Sequence, residues 1–338
     1  MFKLNNTFAI GCLVQFYEID IIEDYLKSVK LALDKIENSQ ENIIVDICFN
    51  MNEELEKIDK TKVVGHDDLG CEITFEQRMD RLVYDTLGHF GHNFWVNKDR
   101  LFTIADYRRE FNEKYCEKAD VLMWGESDSL IPRQTFEILD NLHTAVKETT
   151  PKYVGFFSTC KMWDDTWKVL EHPDFTDKPF TEGDTENWWS LRYIMSQEEM
   201  DKINDKVDDL DIRQTTDLKF NGCGLVISSD VIKSGVNIPK SVFFVHEDTA
   251  FMNNCLIHFQ RKLPQYIIKN ILLVHNRKLP NKRMYIQGQD FKTDDMTKMR
   301  KEQYWFTNAD KMSQKNAFNL TGQGYTYTWD DVFREYKK

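Results

Sequence analysis

The chain has 338 residues, 41% hydrophobic and 30% charged, with a formal net charge of −12, a balance that excludes a disordered or fibrous chain and describes a globular protein able to bury a sizeable core. The acidity argues against a protein that coats polyanions. It is unevenly spread: Arg261 to Lys338 carry 16 Lys/Arg against 8 Asp/Glu, a surplus of +8 that leaves −20 on the residues before them. Seven cysteines without a C-x-x-C pair indicate neither a zinc site nor a disulfide framework, and they are expected to be reduced. The apolar runs Phe8–Phe16 and Ile267–Val274 fall short of the ~20 residues a membrane helix needs. The first residues lack a charged segment followed by a sustained apolar core, so a cytoplasmic protein is expected, in a bacterial or phage-infected host cell.

In chain order, Phe8–Val14 reads as a strand, and Ile22, Tyr25, Leu26, Val29, Leu33 and Ile36 have the spacing of an amphipathic helix. Ile43–Phe49 is a second strand. Strand, helix, strand at this spacing is the βαβ unit of a parallel sheet. No G-x-G-x-x-G follows the first strand and no G-x-x-x-x-G-K-[ST] occurs, which removes the main support for dinucleotide and P-loop readings. Helices are expected over Phe75–Leu87, Ile104–Cys116 and Gln134–Thr144, and strands over Val121–Trp124 and Tyr153–Ser158. Residues 162–217 form an insertion in which Trp163, Trp167, Trp188 and Trp189 lie among acidic residues, suited to stacking on a sugar or base, or to anchoring the excursion. Within it Gln197–Leu210 reads as a helix with a solvated face. Asn221–Ile227, Val242–Val245 and Ile267–Val274 read as further strands.

Several chemistry-bearing residues stand where these strands end. Val121–Trp124 leads into Glu126-Ser127-Asp128, and carboxylates delivered to the C-terminal edge of an α/β sheet suit a hard divalent cation with a phosphate-bearing substrate. Arg108 and Arg109 sit on the preceding helix, where either can reach a diphosphate or simply pair with local acids. Gly222 and Gly224 flank Cys223 where a backbone without Cβ can approach a ligand. Val242–Val245 runs into Glu247-Asp248, and His275 follows the last apolar strand.

This ordered set resembles the GT-A class of nucleotide-sugar glycosyltransferases, most closely the family 2 type, over roughly residues 8 to 280. The matching features are the βαβ start, Arg108/Arg109 with Asn112, Glu126-Ser127-Asp128 with Pro132 in the place of D-x-D, Gly222-Cys223-Gly224, and Glu247-Asp248. The resemblance implies an α/β, Rossmann-like, mostly parallel sheet flanked by helices. It implies a domain over 1–280, with 162–217 as an acceptor-side insertion and 281–338 as a basic, aromatic C-terminal extension. By the same resemblance Arg108, Arg109, Glu126, Gly222 and Gly224 bind the nucleotide sugar, and Asp128 and His275 hold Mn²⁺ or Mg²⁺. Asp248 is the base, with Glu247 beside it, and Glu18 or Asp24 approaches the nucleoside. The first position of D-x-D is Glu126 here, which leaves Asp128 as the metal ligand and Glu126 to contact ribose or metal.

The implied activity is inverting transfer from a nucleotide sugar, a UDP-sugar, to an acceptor hydroxyl, with a glycan as the default acceptor. A second acceptor is hydroxymethylated DNA, as modified by some phage sugar transferases, because the basic tail interleaves cations with Tyr304, Trp305, Phe306, Tyr325, Tyr327 and Trp329. A different class, a non-catalytic sugar-nucleotide or carbohydrate-binding protein, is the reading in which the changed D-x-D marks lost activity. The pattern carries no information on oligomeric state.

Overall fold

The computed structural model describes residues 1–51, 61–160, 172–173, 195–219, 221–275, 304–319 and 322–336. The four tryptophans of the insertion and most of the basic stretch after His275 lie outside the described residues.

Strand β1 (Phe8–Gln15) is buried along its whole length, because both of its faces are covered. Its even positions Phe8, Ile10, Cys12 and Val14 share one hydrophobic cluster with α1 (Ile22–Leu33), α3 (Phe75–Leu87) and α5 (Thr135–Val146). The alternate positions Ala9 and Leu13 belong to a second cluster with α4 (Ile104–Tyr115), α7 (Ser229–Lys233) and α8 (Glu247–His258). Two cores on opposite faces follow directly from the two-residue period of a strand. Gly11 lies between them, where a Cβ would stand 2.5 Å from the Phe111 ring; its absence lets α4 pack close.

β1 pairs in parallel with β2 (Ile43–Asn50) and with β6 (Val121–Trp124), and β2 pairs in parallel with β5 (His92–Asn97). The nine-stranded sheet continues through β10 (Val226–Ser228), β8 (Val154–Cys160) and β11 (Gln265–His275) to β7 (Ser129–Leu130), and β9 (Ile212–Thr215) pairs with β11. β10 is antiparallel to both of its neighbours, and β7 and β9 are antiparallel to β11. All other strands run in one direction. The expected GT-A, Rossmann-like α/β fold, a large and mostly parallel sheet flanked by helices, is met. A separate short hairpin joins β3 (Gly65–His66) to β4 (Glu72–Ile73), and α2 (Ser39–Asn42) precedes β2. The helix expected over Gln197–Leu210 is shorter, α6 (Gln197–Asn204). No helix among the described residues is long and apolar enough to cross a membrane.

Val242–Val245 is not the strand expected from its apolar run. Its carbonyls are met by side chains instead of a neighbouring strand. Arg109 Nη2 donates to Val242 O at 2.6 Å, Thr103 Oγ1 to Phe243 O at 2.9 Å, and Ser313 Oγ to Val245 O at 2.6 Å. The apolar side chains find their partners in the C-terminal helices α9 (Tyr304–Phe318) and α10 (Trp329–Tyr336), where Phe243 and Phe244 pack with Trp305, Phe306, Trp329 and Phe333. An apolar run thus buries itself without joining the sheet, and the chain passes into α8, which sequence periodicity does not announce.

Candidate functional site

Gly125 follows β6 directly, ahead of the turn at Ser127–Asp128. A Cβ on Gly125 would lie 2.0 Å from the Tyr25 hydroxyl, so only glycine fits. Ser129 closes the turn, its N–H and hydroxyl donating to Glu126 O at 3.1 and 2.7 Å. Ser129 then pairs with His275 across the β7–β11 ladder. That register carries the imidazole to the two carboxylates: His275 Nε2 is 2.7 Å from Glu126 Oε2 and 3.1 Å from Asp128 Oδ1. His275 and Asp128 are buried, while the Glu126 side chain keeps 25% exposure.

Arg108 enters from α4 and is 2% exposed. Its guanidinium lies 4.8 Å from the centroid of the Trp124 ring, which Asn112 fixes by accepting from Nε1 at 2.9 Å. Nη2 donates to Glu126 Oε1 at 2.7 Å and to Gly222 O at 3.0 Å, and Nη1 pairs with Glu247 Oε1. Gly222 has no room for a side chain, since a Cβ would meet Arg108 Nη1 at 2.5 Å and Asp248 Cβ at 3.4 Å. Gly224 adopts φ +70°, a left-handed backbone that glycine takes without strain. Glu247 and Asp248 open α8, where its N-terminal dipole favours acids. Asp248 Oδ1 accepts from the Thr249 N–H at 2.6 Å.

The electrostatics separate the two carboxyls that share Arg108. Burial opposes ionisation of Glu126, but the His275 charge and hydrogen bond, with Arg108, hold its pKa well below the usual carboxylate range. Burial dominates for Glu247; Arg108 pulls its pKa down, Asp248 pushes it up, and it reaches about 7. The asymmetry has a geometric cause, because Glu126 faces both cations whereas Glu247 faces Arg108 alone. Burial works against a charge on His275, and the nearby Cys223, Glu126 and Asp128 outweigh it, raising the imidazole well above its ordinary value.

Arg108, Glu126, Asp128, Gly222, Gly224, Glu247, Asp248 and His275 therefore come together beyond the C-terminal end of β6, between the Glu126–Ser129 turn and the first turn of α8. Arg109 does not join them: it donates to the carbonyls of Ile238, Pro239 and Val242 and pairs with Asp106, clamping the loop that leads to α8. Glu18 accepts from the Gln15 N–H in a turn after β1. Two neighbours are absent from the sequence reading. Cys223, which it treats only as the spacer between two glycines, has Sγ in a group with Glu126 and His275 whose ligand atoms all lie within 4.8 Å of one another. Tyr25, read there as a core position of α1, places its hydroxyl against Gly125. The Cys223 signal was its position inside G-x-G; for Tyr25 there was none beyond apolar periodicity.

No family model and no curated protein matches this chain. Among solved structures, it is similar to residues 1–349 of S. aureus TarS, at 11% identity over 93% of this chain and 74% of that one, with a TM-score of 0.40. The same protein in complex with UDP-GlcNAc gives 9% identity over 98% and 71%, with a TM-score of 0.45. The inositol-1-phosphate CTP transferase from T. maritima gives 11% over 89% and 98%, with a TM-score of 0.41. These scores are low, and the fold assignment rests on the strand order described above.

Proposed function

We propose that this chain is a metal-dependent glycosyltransferase that moves a sugar from a UDP-sugar to a glycan hydroxyl with inversion at the anomeric carbon. The observation that carries this reading is Arg108 joining Glu126 to Glu247. It draws the corner that follows β6 and the acidic pair that opens α8 into one cluster at the strand ends, where α/β sheets bind ligands.

The donor set fits a divalent cation: two carboxylates and an imidazole converge, and they are groups that Mn²⁺ or Mg²⁺ takes as ligands. Asp128 and His275 would hold it, and when bound it would neutralise charge developing on the diphosphate leaving group. Asp248, half-buried at the first turn of α8, takes the proton from the acceptor hydroxyl as it attacks the anomeric carbon from the face opposite the nucleotide. Arg108 is a positioning residue. Its Nη1 and Nη2 are engaged by Glu126, Glu247 and the Gly222 carbonyl, so it fixes the metal corner relative to the base. Glu247, raised to about 7 chiefly by burial, is a member of the acidic pair whose own charge changes near neutrality.

The test is turnover of a panel of UDP-sugars with Mn²⁺, with Mg²⁺ and with EDTA. Asp128→Asn is expected to abolish metal-dependent turnover. Asp248→Asn is expected to keep nucleotide-sugar binding by calorimetry and to lower transfer about 10²- to 10⁴-fold. Turnover that survives EDTA removes the metal from the reading, and unchanged transfer in Asp248→Asn removes the base.

A further inference from the structure

The metal corner contains a donor of a different chemical kind from the carboxylates and imidazole. Cys223 is 2% exposed, and its Sγ lies within 4.8 Å of a ring nitrogen of His275. One ligand atom from each of Glu126, Cys223 and His275 lies within 4.8 Å of the other two, and Asp128 Oδ1 stands 3.1 Å from His275 Nε2. An ion that binds nitrogen and oxygen at ~2.0–2.2 Å and sulfur at ~2.3 Å spans donors up to about 4.5 Å apart, so small side-chain rotations bring this group onto one ion.

The position of the thiol is built by its loop. Asn221 Nδ2 donates to Cys223 O at 2.8 Å and Cys223 N–H to Asn221 Oδ1 at 3.2 Å, while Thr159 Oγ1 anchors the same amide at 3.0 Å. Gly224 N–H donates to Trp124 O at 2.8 Å and so ties the loop to the end of β6. Among the described residues, Cys223 is the only cysteine found in such a group of possible metal ligands; Cys12, Cys48, Cys71, Cys116 and Cys255 stand in none. A second observation points to a ligand at this place. Tyr25 is 1% exposed, its hydroxyl has no hydrogen-bond partner among the described residues, and it abuts Gly125, the residue before Glu126. A buried hydroxyl left unpaired is costly, and an oxygen atom brought in beside the metal corner gives it a partner.

We propose that Cys223 is a thiolate ligand of the bound cation, in a mixed set with Glu126, His275 and Asp128. This deepens the metal-binding part of the proposed function and rests on it. On binding, the Cys223 thiol and the His275 imidazolium each give a proton to solvent, and sulfur–metal and nitrogen–metal bonds replace the S–H and N–H bonds; no electron is transferred. Sulfur in the set disfavours Mg²⁺, which takes oxygen ligands, and favours Zn²⁺ and Co²⁺.

The experiment is a Co²⁺ titration of the full chain, free of nucleotide sugar and of added thiols, read by absorption. Wild type is expected to gain visible d–d bands together with a near-ultraviolet sulfur-to-cobalt charge-transfer band, which Zn²⁺ displaces and a large excess of Mg²⁺ does not. Cys223→Ser and Cys223→Ala are expected to lose the charge-transfer band and to bind Co²⁺ at least about tenfold more weakly. Bands of d–d type alone in wild type, or a charge-transfer band that persists in both variants, overturn the thiolate ligand and leave the metal site standing. Absence of any Co²⁺ spectrum, with no Mn²⁺ binding by calorimetry, overturns the metal reading and this inference with it.

Discussion

His246 Nε2 lies 3.0 Å from Asp310 Oδ1, and the contact ties α9 to the residue immediately before Glu247-Asp248. His246 has φ 68°, a left-handed backbone that a non-glycine residue holds only where its surroundings enforce it. Burial works against a charge on this imidazole, and Asp310 more than compensates, so its pKa is raised. The C-terminal helices are thus a buttress for the start of α8. Asp310→Ala is expected to leave nucleotide-sugar affinity unchanged and to lower kcat on the order of tenfold, through a looser Asp248. Donor binding by calorimetry and steady-state kinetics check this; an unaltered kcat would separate α9 from the reaction.

Gly222→Ala tests how tightly Arg108 is held. The added Cβ would stand 2.5 Å from Nη1, and the guanidinium has no free direction of retreat between Trp124, Glu126 and Glu247. Breaking a buried ion pair costs about 3–5 kcal/mol. Urea unfolding is expected to show a loss of that order, with transfer activity reduced in parallel. A variant of wild-type stability would mean that Arg108 is less constrained than these contacts imply.

Much of the fold was legible because its signals are local. The period of Ile22 to Leu33, the apolar runs of β1, β2 and β6, and the carboxylates after Trp124 declare their own elements. What escaped depends on contacts far apart in the chain. Val242–Val245 reads as a strand until Arg109, Thr103 and Ser313 are seen to hold its carbonyls. Arg108 and Arg109 look equivalent in sequence, yet helical geometry turns neighbouring side chains to different directions, and one enters the site while the other clamps a loop. Cys223 gains its neighbours only when β7 pairs with β11 and sets His275 beside the turn.

Trp305 is the next case. In sequence it belongs to a basic, aromatic tail suited to stacking on bases; in the fold it is buried against Phe244, Phe306 and Trp329, with ring centroids 5.5, 5.6 and 6.1 Å away. Trp305→Ala is expected to cost about 3–5 kcal/mol, as truncation of a large buried ring does, and to lower Tm accordingly. A ring used chiefly for stacking on a ligand would be replaced at little cost to stability, and calorimetric unfolding distinguishes the two.

Glu247 and Glu126 make opposite contributions to stability as pH changes. The folded-state pKa of Glu247, about 7 against an ordinary 4.5, means that the folded chain keeps a proton which the unfolded chain releases. That contribution is complete below the unfolded value and is lost as pH rises through about 7. Glu126 is depressed, so its contribution is present above the ordinary carboxylate value and is lost as pH falls through its lowered folded value. Between about pH 5 and pH 7.5 Glu126 stays ionised while Glu247 changes; the perturbed histidines His246 and His275 contribute in the same window, and comparison with a variant that keeps both isolates the Glu247 share. Glu247→Gln, which cannot ionise, is expected to flatten the decline of wild-type stability across the window by up to roughly 3 kcal/mol. Denaturant unfolding at several pH values reads the difference. Parallel wild-type and variant curves would show that Arg108 keeps Glu247 ionised in spite of its burial, and that the proton assigned to it near neutrality is absent.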